Sequence, residues 1–412
     1  MPRLLLTVRG PDHPGVTAAL FGHLHRHGAE LVDVEQVVVR GALLLGIRVD
    51  VPDEPDGAEG IPSALRERLA VAAREVGVDV EVVLAPPDAD CDSTGSTAAA
   101  GRQHVTLLAP NVDAGAFAAV SEALASCSSN IERIERLASY PVTAYELTIS
   151  GGNAAPLREK LAAVAAESNV DLAVQPAGLV RRGKRLVVFD VDSTLVQGEV
   201  VDELAEVAGV GEQVASVTAA AMRGELEFAA SLRARVALLE GLPMEALDEV
   251  RSRMVLTPGA ATLLRTLRRM GYSLGVVSGG FTHIVEPLAA DLGLDFAAAN
   301  VLEIVDGRLT GRLLGPIVDR AGKAEALKRF AAQAGVPLPQ TIAVGDGAND
   351  LDMIATAGLG VAFNAKPAVR AAAPASVNVP FLDALLFLLG VPRDEVEAAD
   401  SADGMDSVER GR

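Results

Sequence analysis

The residues best suited to chemistry in this chain are Asp190 and Asp192, which stand directly after the apolar run Leu186-Val187-Val188-Phe189 and before Ser193-Thr194. Four apolar residues in a row read as a strand buried on both faces. In extended backbone, positions i and i+2 face the same way, so the two carboxylates leave that strand side by side. Two acids with no adjacent Lys or Arg repel unless a proton or a cation sits between them. A hard cation such as Mg²⁺ suits an oxygen-only donor set.

Two further segments end in polar residues of matching kind. An apolar run reaches Ser278-Gly279-Gly280, and another reaches Gly345-Asp346-Gly347-Ala348-Asn349-Asp350. Between them lies Lys323, in the helical-looking stretch Gly322-Lys323-Ala324-Glu325. Ligands of open α/β sheets bind past the carboxyl ends of the strands. Gathered there, these groups supply a nucleophile, an acid, a hydroxyl, an ammonium and metal carboxylates. That set suits phosphoryl transfer, where catalysis is mostly positioning and charge stabilisation.

The elements that must position them follow from periodicity. From about Arg181, strands at Arg185–Phe189, Ser273–Val277 and Thr341–Val344 alternate with helices, which predicts a Rossmann-like parallel sheet in an α/β domain over 181–393. A helical insert, about 199–256, is too long for a crossover and reads as a cap. Asp306-Gly307 is a two-residue hairpin signal. Ahead of this lie two units with β-α-β-β-α-β order, 1–85 and 103–178, an α+β ferredoxin-like pattern repeated. A Pro, Ser, Thr and Gly-rich linker, 86–102, separates them. After Arg393 the chain turns acidic and polar, and 394–412 reads as a disordered tail.

Composition narrows the function. At 412 residues several domains are expected. The formal charge of −19 disfavours nucleic acid as a partner. No apolar run approaches the ~20 residues of a membrane span. Cys91 and Cys127 form no framework, which points to a cytoplasmic, reducing compartment. Trp is absent, so stacked-ring binding platforms are not expected.

The Asp-x-Asp-Ser-Thr run, the Ser-Gly-Gly end, the lone Lys and the Gly-Asp-Gly-x-Asn-Asp loop resemble the four motifs of the haloacid-dehalogenase phosphatase superfamily, in order. Within it, the segment from Met222 to Val236 resembles the cap of the phosphoserine phosphatase family. The front units resemble ACT domains, the first on Asp12-His13-Pro14-Gly15 after a strand. The resemblance implies Mg²⁺-dependent hydrolysis of phosphoserine, the last step of serine biosynthesis. Asp190 would be the nucleophile forming an aspartyl-phosphate, and Asp192 the acid and base. Asp190, Asp346 and the Asp192 carbonyl would ligate the metal, with Asp350 behind them. Lys323, Ser278 and Gly279 would hold the phosphoryl oxygens. Asn349 would fix the same group or orient Lys323. Arg235 would clamp the α-carboxylate, Glu199 the α-ammonium, and Met222 and Phe228 would form a lid. An amino-acid effector such as serine would bind the ACT-like units near Gly15 and Gly115, in a homodimer or larger assembly.

Plainer readings stand beside these. Glu199 also suits a helix start, where acids favour the dipole. Arg235 could be a solvated helix residue, and Met222 and Phe228 ordinary core. Ser193 and Thr194 would hold the loop and cap the next segment. His13 would order its turn. His23, His25 and His27 cannot share one helix face, and His283 would pack or cap. Competing functions are hydrolysis of another small phosphate ester, or amino-acid sensing by the front units alone.

Overall fold

A computed structural model describes residues 2–52, 61–85, 101–223 and 225–402. Two compact units divide it, the boundary falling at Gly95 and Ser96. The first unit holds β1 (Arg3–Pro11), β2 (Glu30–Val39), β3 (Ala42–Asp50) and β4 (Asp79–Leu84) in one antiparallel sheet of order β2-β3-β1-β4. Helices Val16–Arg26 and Ser63–Glu75 cover one face. Arg40 and Gly41 both adopt left-handed backbone (φ 49° and 82°), the geometry a two-residue hairpin requires. Leu6, Leu20, Leu45 and Leu69 meet in this unit's core. His13 orders its turn as expected: its ring nitrogens lie 3.1 Å from Pro14 O and 2.7 Å from Val76 O.

The second unit repeats the topology with β5 (Gln103–Ala109), β6 (Ser129–Ala138), β7 (Thr143–Gly151) and β8 (Asp171–Pro176). The following α/β region adds β9 (Leu186–Phe189), β10 (Ser273–Phe281), β11 (Phe296–Val305), β12 (Arg308–Leu314), β13 (Thr341–Gly345), β14 (Leu359–Phe363) and β15 (Ala375–Val377). These join in one eleven-stranded sheet of order β12-β11-β10-β9-β13-β14-β15-β8-β5-β7-β6. Strand β9 lies inside the sheet, parallel to both β10 and β13, with all four residues buried. The joint is a single antiparallel pairing, Ala375 with Ala173. Side chains reinforce it. Asp171 accepts from Asn378 N at 2.6 Å, Gln175 donates to Leu388 O at 2.6 Å, and Arg181 bonds both Glu146 and Leu388 O.

The insert after β9 contains helices Val200–Val207, Gly211–Met222, Phe228–Ala237 and Glu245–Arg253. Its two chain crossings meet at a neck, where Val196 bridges Leu256 and Gln197 N donates to Val255 O at 2.9 Å. The β11–β12 hairpin turns at Asp306-Gly307, both left-handed.

The expectation of a disordered tail from residue 394 needs correction. Arg393–Ala402 is helical: Val396 is buried in the main core, and Asp400 pairs with Arg265 and Arg269 at 2.6 and 2.5 Å. One apolar anchor and a double ion pair hold a segment whose composition looked solvated. Residues 403–412, residues 86–100 of the expected 86–102 linker, and Cys91 lie outside the described residues.

Candidate active site

Three strands deliver the site. Past β9, Asp190 N donates to Val344 O at 2.8 Å, so extended backbone carries the first carboxylate beyond the strand end. The chain then folds into a single π turn, Val191–Leu195, with Ser193 in left-handed backbone (φ 57°). That turn swings Asp192 away from strict strand alternation. Its Oδ1 accepts from Val200 N at 2.7 Å and its Oδ2 from the Ser278 hydroxyl at 3.0 Å. On β10 the register breaks between Val277 and Phe281. The irregularity re-aims Ser278, as bulges beside functional sites do, and Gly280 N donates to Ser278 Oγ at 2.7 Å.

Past β13 the loop brings Asp346 and Asp350. Thr194 donates to Asp346 Oδ1 at 3.1 Å, and Asp350 Oδ2 accepts from Gly347 N at 2.9 Å. Helix Arg320–Ala334 is capped by Asp319, whose side chain accepts from Gly322 N. Lys323 therefore sits in a fixed first turn. It is fully buried, its ammonium 2.7 Å from Asp190 Oδ1 and 2.6 Å from Asp350 Oδ1.

Asp190, Asp346 and Asp350 each offer an oxygen within 4.8 Å of the others'. Burial and the neighbouring Asp350 charge push Asp190 well above the usual carboxylate range, against the pull of Lys323. Burial and Asp350 raise Asp346 to about 6. Burial also raises Asp192, despite its two hydrogen bonds. Burial opposes the charge on Lys323, but Asp190 and Asp350 overcome it and hold the ammonium above its ordinary value. One buried cation cannot balance this many carboxylates. An all-oxygen, charge-rich cluster of this kind fits a hard divalent cation.

The cap supplies the remaining groups. Glu199 is the residue before helix Val200–Val207, consistent with the dipole reading, but its side chain makes no capping bond. Burial of the carboxyl, with Asp192 and Asp346 adding charge, raises it to about 7. The residue as a whole is exposed, so water screens part of that repulsion. The Arg235 charge acts on both Asp192 and Glu199, and its buried Nε makes no hydrogen bond. Phe228 opens its helix with its ring tip against Gly279: a Cβ added there would lie 3.3 Å from Cζ. Met222 ends helix Gly211–Met222, and its side chain lies outside the described residues.

Some expected roles shift. Lys323 is oriented by Asp350, while Asn349 is half-buried in the turn over Gly347. Thr194 caps no helix and serves Asp346 instead, and Ser193 reaches Glu199 only at 3.5 Å. Two residues escaped sequence reasoning. Thr257 donates to Thr194 O at 2.7 Å, pinning the π turn. Asn300 binds the Ser278 loop. A lone Asn in Ala298-Ala299-Asn300-Val301-Leu302 was the available signal.

In the front units, Gly15 has φ 104° at the start of helix Val16–Arg26, with nothing within 4 Å of an added Cβ. Gly115 lies in the first turn of helix Ala114–Ser126, capped by Asp113. Asp113, Phe117, Ser121 and Tyr145 line an open groove of about 440 Å³ beside it.

Comparisons with known proteins agree with this geometry. Residues 187–355 match the haloacid dehalogenase-like hydrolase family, and 2–83 and 102–175 match ACT domains. The chain is 54% identical to Phosphoserine phosphatase SerB2 of Mycobacterium tuberculosis over 97% of its own length and 96% of the relative's. It is 55% identical to the Phosphoserine phosphatase of Streptomyces coelicolor over 97% and 95%. A structure of a probable phosphoserine phosphatase from Vibrio cholerae superposes with a TM-score of 0.55 at 35% identity, covering 74% of this chain and 89% of that one. With more than half of its residues identical to relatives matched over nearly their whole length, the chain belongs to the phosphoserine phosphatase family of haloacid dehalogenase-like hydrolases.

Proposed function

We propose that this protein hydrolyses O-phosphoserine to serine and phosphate through an aspartyl-phosphate, the last step of serine biosynthesis. The carrying observation is the pairing of a buried Asp190 against Lys323 with a cap arginine, Arg235, whose Nε is buried and unbonded. A phosphomonoester that also bears a carboxylate and an ammonium answers both ends.

In the first half-reaction an Asp190 oxygen attacks phosphorus in line, and the bond from phosphorus to the serine oxygen breaks. Asp192, whose raised pKa suits an acid, gives its proton to the departing oxygen. In the second, Asp192 takes a proton from water as that water attacks phosphorus. The acyl-phosphate bond opens, phosphate leaves and Asp190 is free again. Lys323, the Ser278 hydroxyl and the Gly279 amide stabilise the phosphoryl oxygens. Asp190, Asp346 and the Asp192 carbonyl would hold Mg²⁺, with Asp350 behind them, and the ion would offset negative charge where nucleophile and substrate meet. Arg235 receives the α-carboxylate in a two-bond fork. Glu199 faces the α-ammonium, and Phe228 with Met222 shields the site from water.

The two ACT domains take an amino-acid effector such as serine, near Gly15 in the first and near Gly115 in the second, and support a homodimer or larger homo-oligomer. The cysteine usage suits the cytoplasm, and no helix among the described residues is long and apolar enough to cross a membrane. Steady-state rates on phosphoserine, phosphothreonine and sugar phosphates, with and without metal chelation, test the reading. A marked preference for phosphoserine that chelation removes supports it. Equal rates on a sugar phosphate would reassign the substrate, and turnover indifferent to chelation would reassign the chemistry. Serine added to the assay, with hydrodynamic radius measured alongside, reads the effector.

A further inference from the structure

We infer that Asn300 is a positioning residue for the phosphoryl cradle, tying the Ser278-Gly279-Gly280 loop to the segment that launches Lys323. Its side chain is 1% exposed. Nδ2 donates to Gly279 O at 2.8 Å and to Gly280 O at 3.3 Å, while Oδ1 accepts from Val318 N at 2.8 Å. Only one orientation of the amide satisfies all three, because carbonyls need the NH₂ end and an N–H needs the oxygen.

The peptide between Gly279 and Gly280 is consequently held at both ends. Asn300 takes its carbonyl, and Ser278 Oγ accepts its N–H at 2.7 Å. With that lone pair engaged, the Ser278 hydroxyl is aimed at Asp192 Oδ2. Two glycines without side chains would otherwise leave this loop many conformations. On the other side, Val318 directly precedes Asp319, whose backbone carbonyl accepts from Lys323 N at 2.8 Å. One buried amide thus sets the relative placement of the serine, the Gly279 amide and the lysine, none of which it replaces in the chemistry. Small displacements of such groups are costly: about 1 Å can mean roughly 100-fold in rate.

This rests on the phosphatase reading above, and the experiment separates the two. Wild type, Asn300→Asp, Asn300→Ser and Leu302→Ala are assayed on phosphoserine and on an aryl phosphate, below each variant's melting temperature. Leu302 is buried on the same strand and touches no loop group by hydrogen bonding among the contacts described. Asn300→Asp keeps shape and the Val318 bond but turns an acceptor toward two carbonyls. Its kcat should fall roughly 100-fold on both substrates, with KM changing by no more than about 3-fold. Asn300→Ser should fall less, and Leu302→Ala should lose stability yet keep kcat within about 3-fold. If Asn300→Asp does not fold, Asn300→Ser carries the test, with about a 10-fold loss of kcat expected. Retained kcat in the folded Asn300 variants, or an equal loss in Leu302→Ala, overturns the inference. Wild type that spares phosphoserine but cleaves the aryl phosphate overturns the substrate reading alone, and the Asn300 comparison then stands on the aryl phosphate.

Discussion

In the first ACT domain, β4 pairs with β1 alone among the described strands, and its leading acid, Asp79, is exposed. In the second, the equivalent strand β8 also meets β15, and its leading acid, Asp171, is 5% exposed and bonded to Asn378. The sheet faces differ in the same sense. Leu44 of the first is 48% exposed on the face away from its helices. In the second, Leu108, Ala144 and Ala173 join Leu385, Leu386, Val187 and Phe189 in one core. Identical strand order therefore leaves a module's role open. What decides it is whether the outer face and edge find apolar and hydrogen-bonding partners. The second domain has become part of the catalytic scaffold, whereas the first keeps a core of its own.

The largest test of this contrast removes the nucleophile. Asp190→Asn should lower kcat by roughly 10⁴-fold or more while circular dichroism stays unchanged. Deleting residues 1–95 should leave kcat within about 3-fold, and a loss comparable to Asp190→Asn would break the comparison. Next in size, Arg235→Lys keeps charge but loses the planar fork. KM for phosphoserine should rise about 10-fold or more, close to 1.4 kcal/mol, with an aryl phosphate little affected. Equal losses on both would mean that the arginine does not read a carboxylate.

The junction itself comes third. Asp171→Ala leaves the half-buried Asn378 N–H without the Asp171 carboxylate and should cost about 1–3 kcal/mol in denaturant unfolding. Asp79→Ala, at the matching exposed position, should stay within about 0.5 kcal/mol. Similar costs at both sites would erase the distinction. The smallest effect concerns Glu146, which is half wrapped by the joint. Burial would raise its pKa, but the His104 ring at 3.0 Å and Arg181 overcome this and hold it below 4.5. A folded pKa below the unfolded one means that its contribution is fully present above about pH 4.5. It is lost as the pH falls through the lower folded value. The stability gap between wild type and Glu146→Gln should therefore narrow on acidification below pH 4.5. A gap that widens there would reverse the sign.

Much of the site was legible because its groups follow their strands at fixed short spacings: Asp190 and Asp192, Ser278 and Gly279, Asp346 and Asp350. The hairpins at Arg40-Gly41 and Asp306-Gly307 were legible for the same reason, since the turn geometry selects those residues locally. Asn300 and Thr257 were not, because each acts on residues distant in sequence from a strand or turn that looks ordinary. Strands β14 and β15 and the Arg393–Ala402 helix were missed, being short or polar and stabilised by tertiary partners. The merged sheet rests on one backbone pairing and a few side chains, and no local pattern announces that. The unbroken apolar run Leu107-Leu108-Ala109 was a faint sign that both faces of β5 are covered, as their burial shows.

The position of Val396 bears on how the protein is made. It packs in the same core as Val187 and Phe189, so the strand that presents Asp190 waits for about two hundred further residues before its cover emerges from the ribosome. The first ACT domain, whose sheet is completed by residue 84, has every partner it needs far earlier. Domains fold as units during synthesis, and long-separated contacts form late. Translation of this chain should accordingly yield a folded leading module attached to an immature catalytic sheet, with chaperone dependence concentrated in the latter.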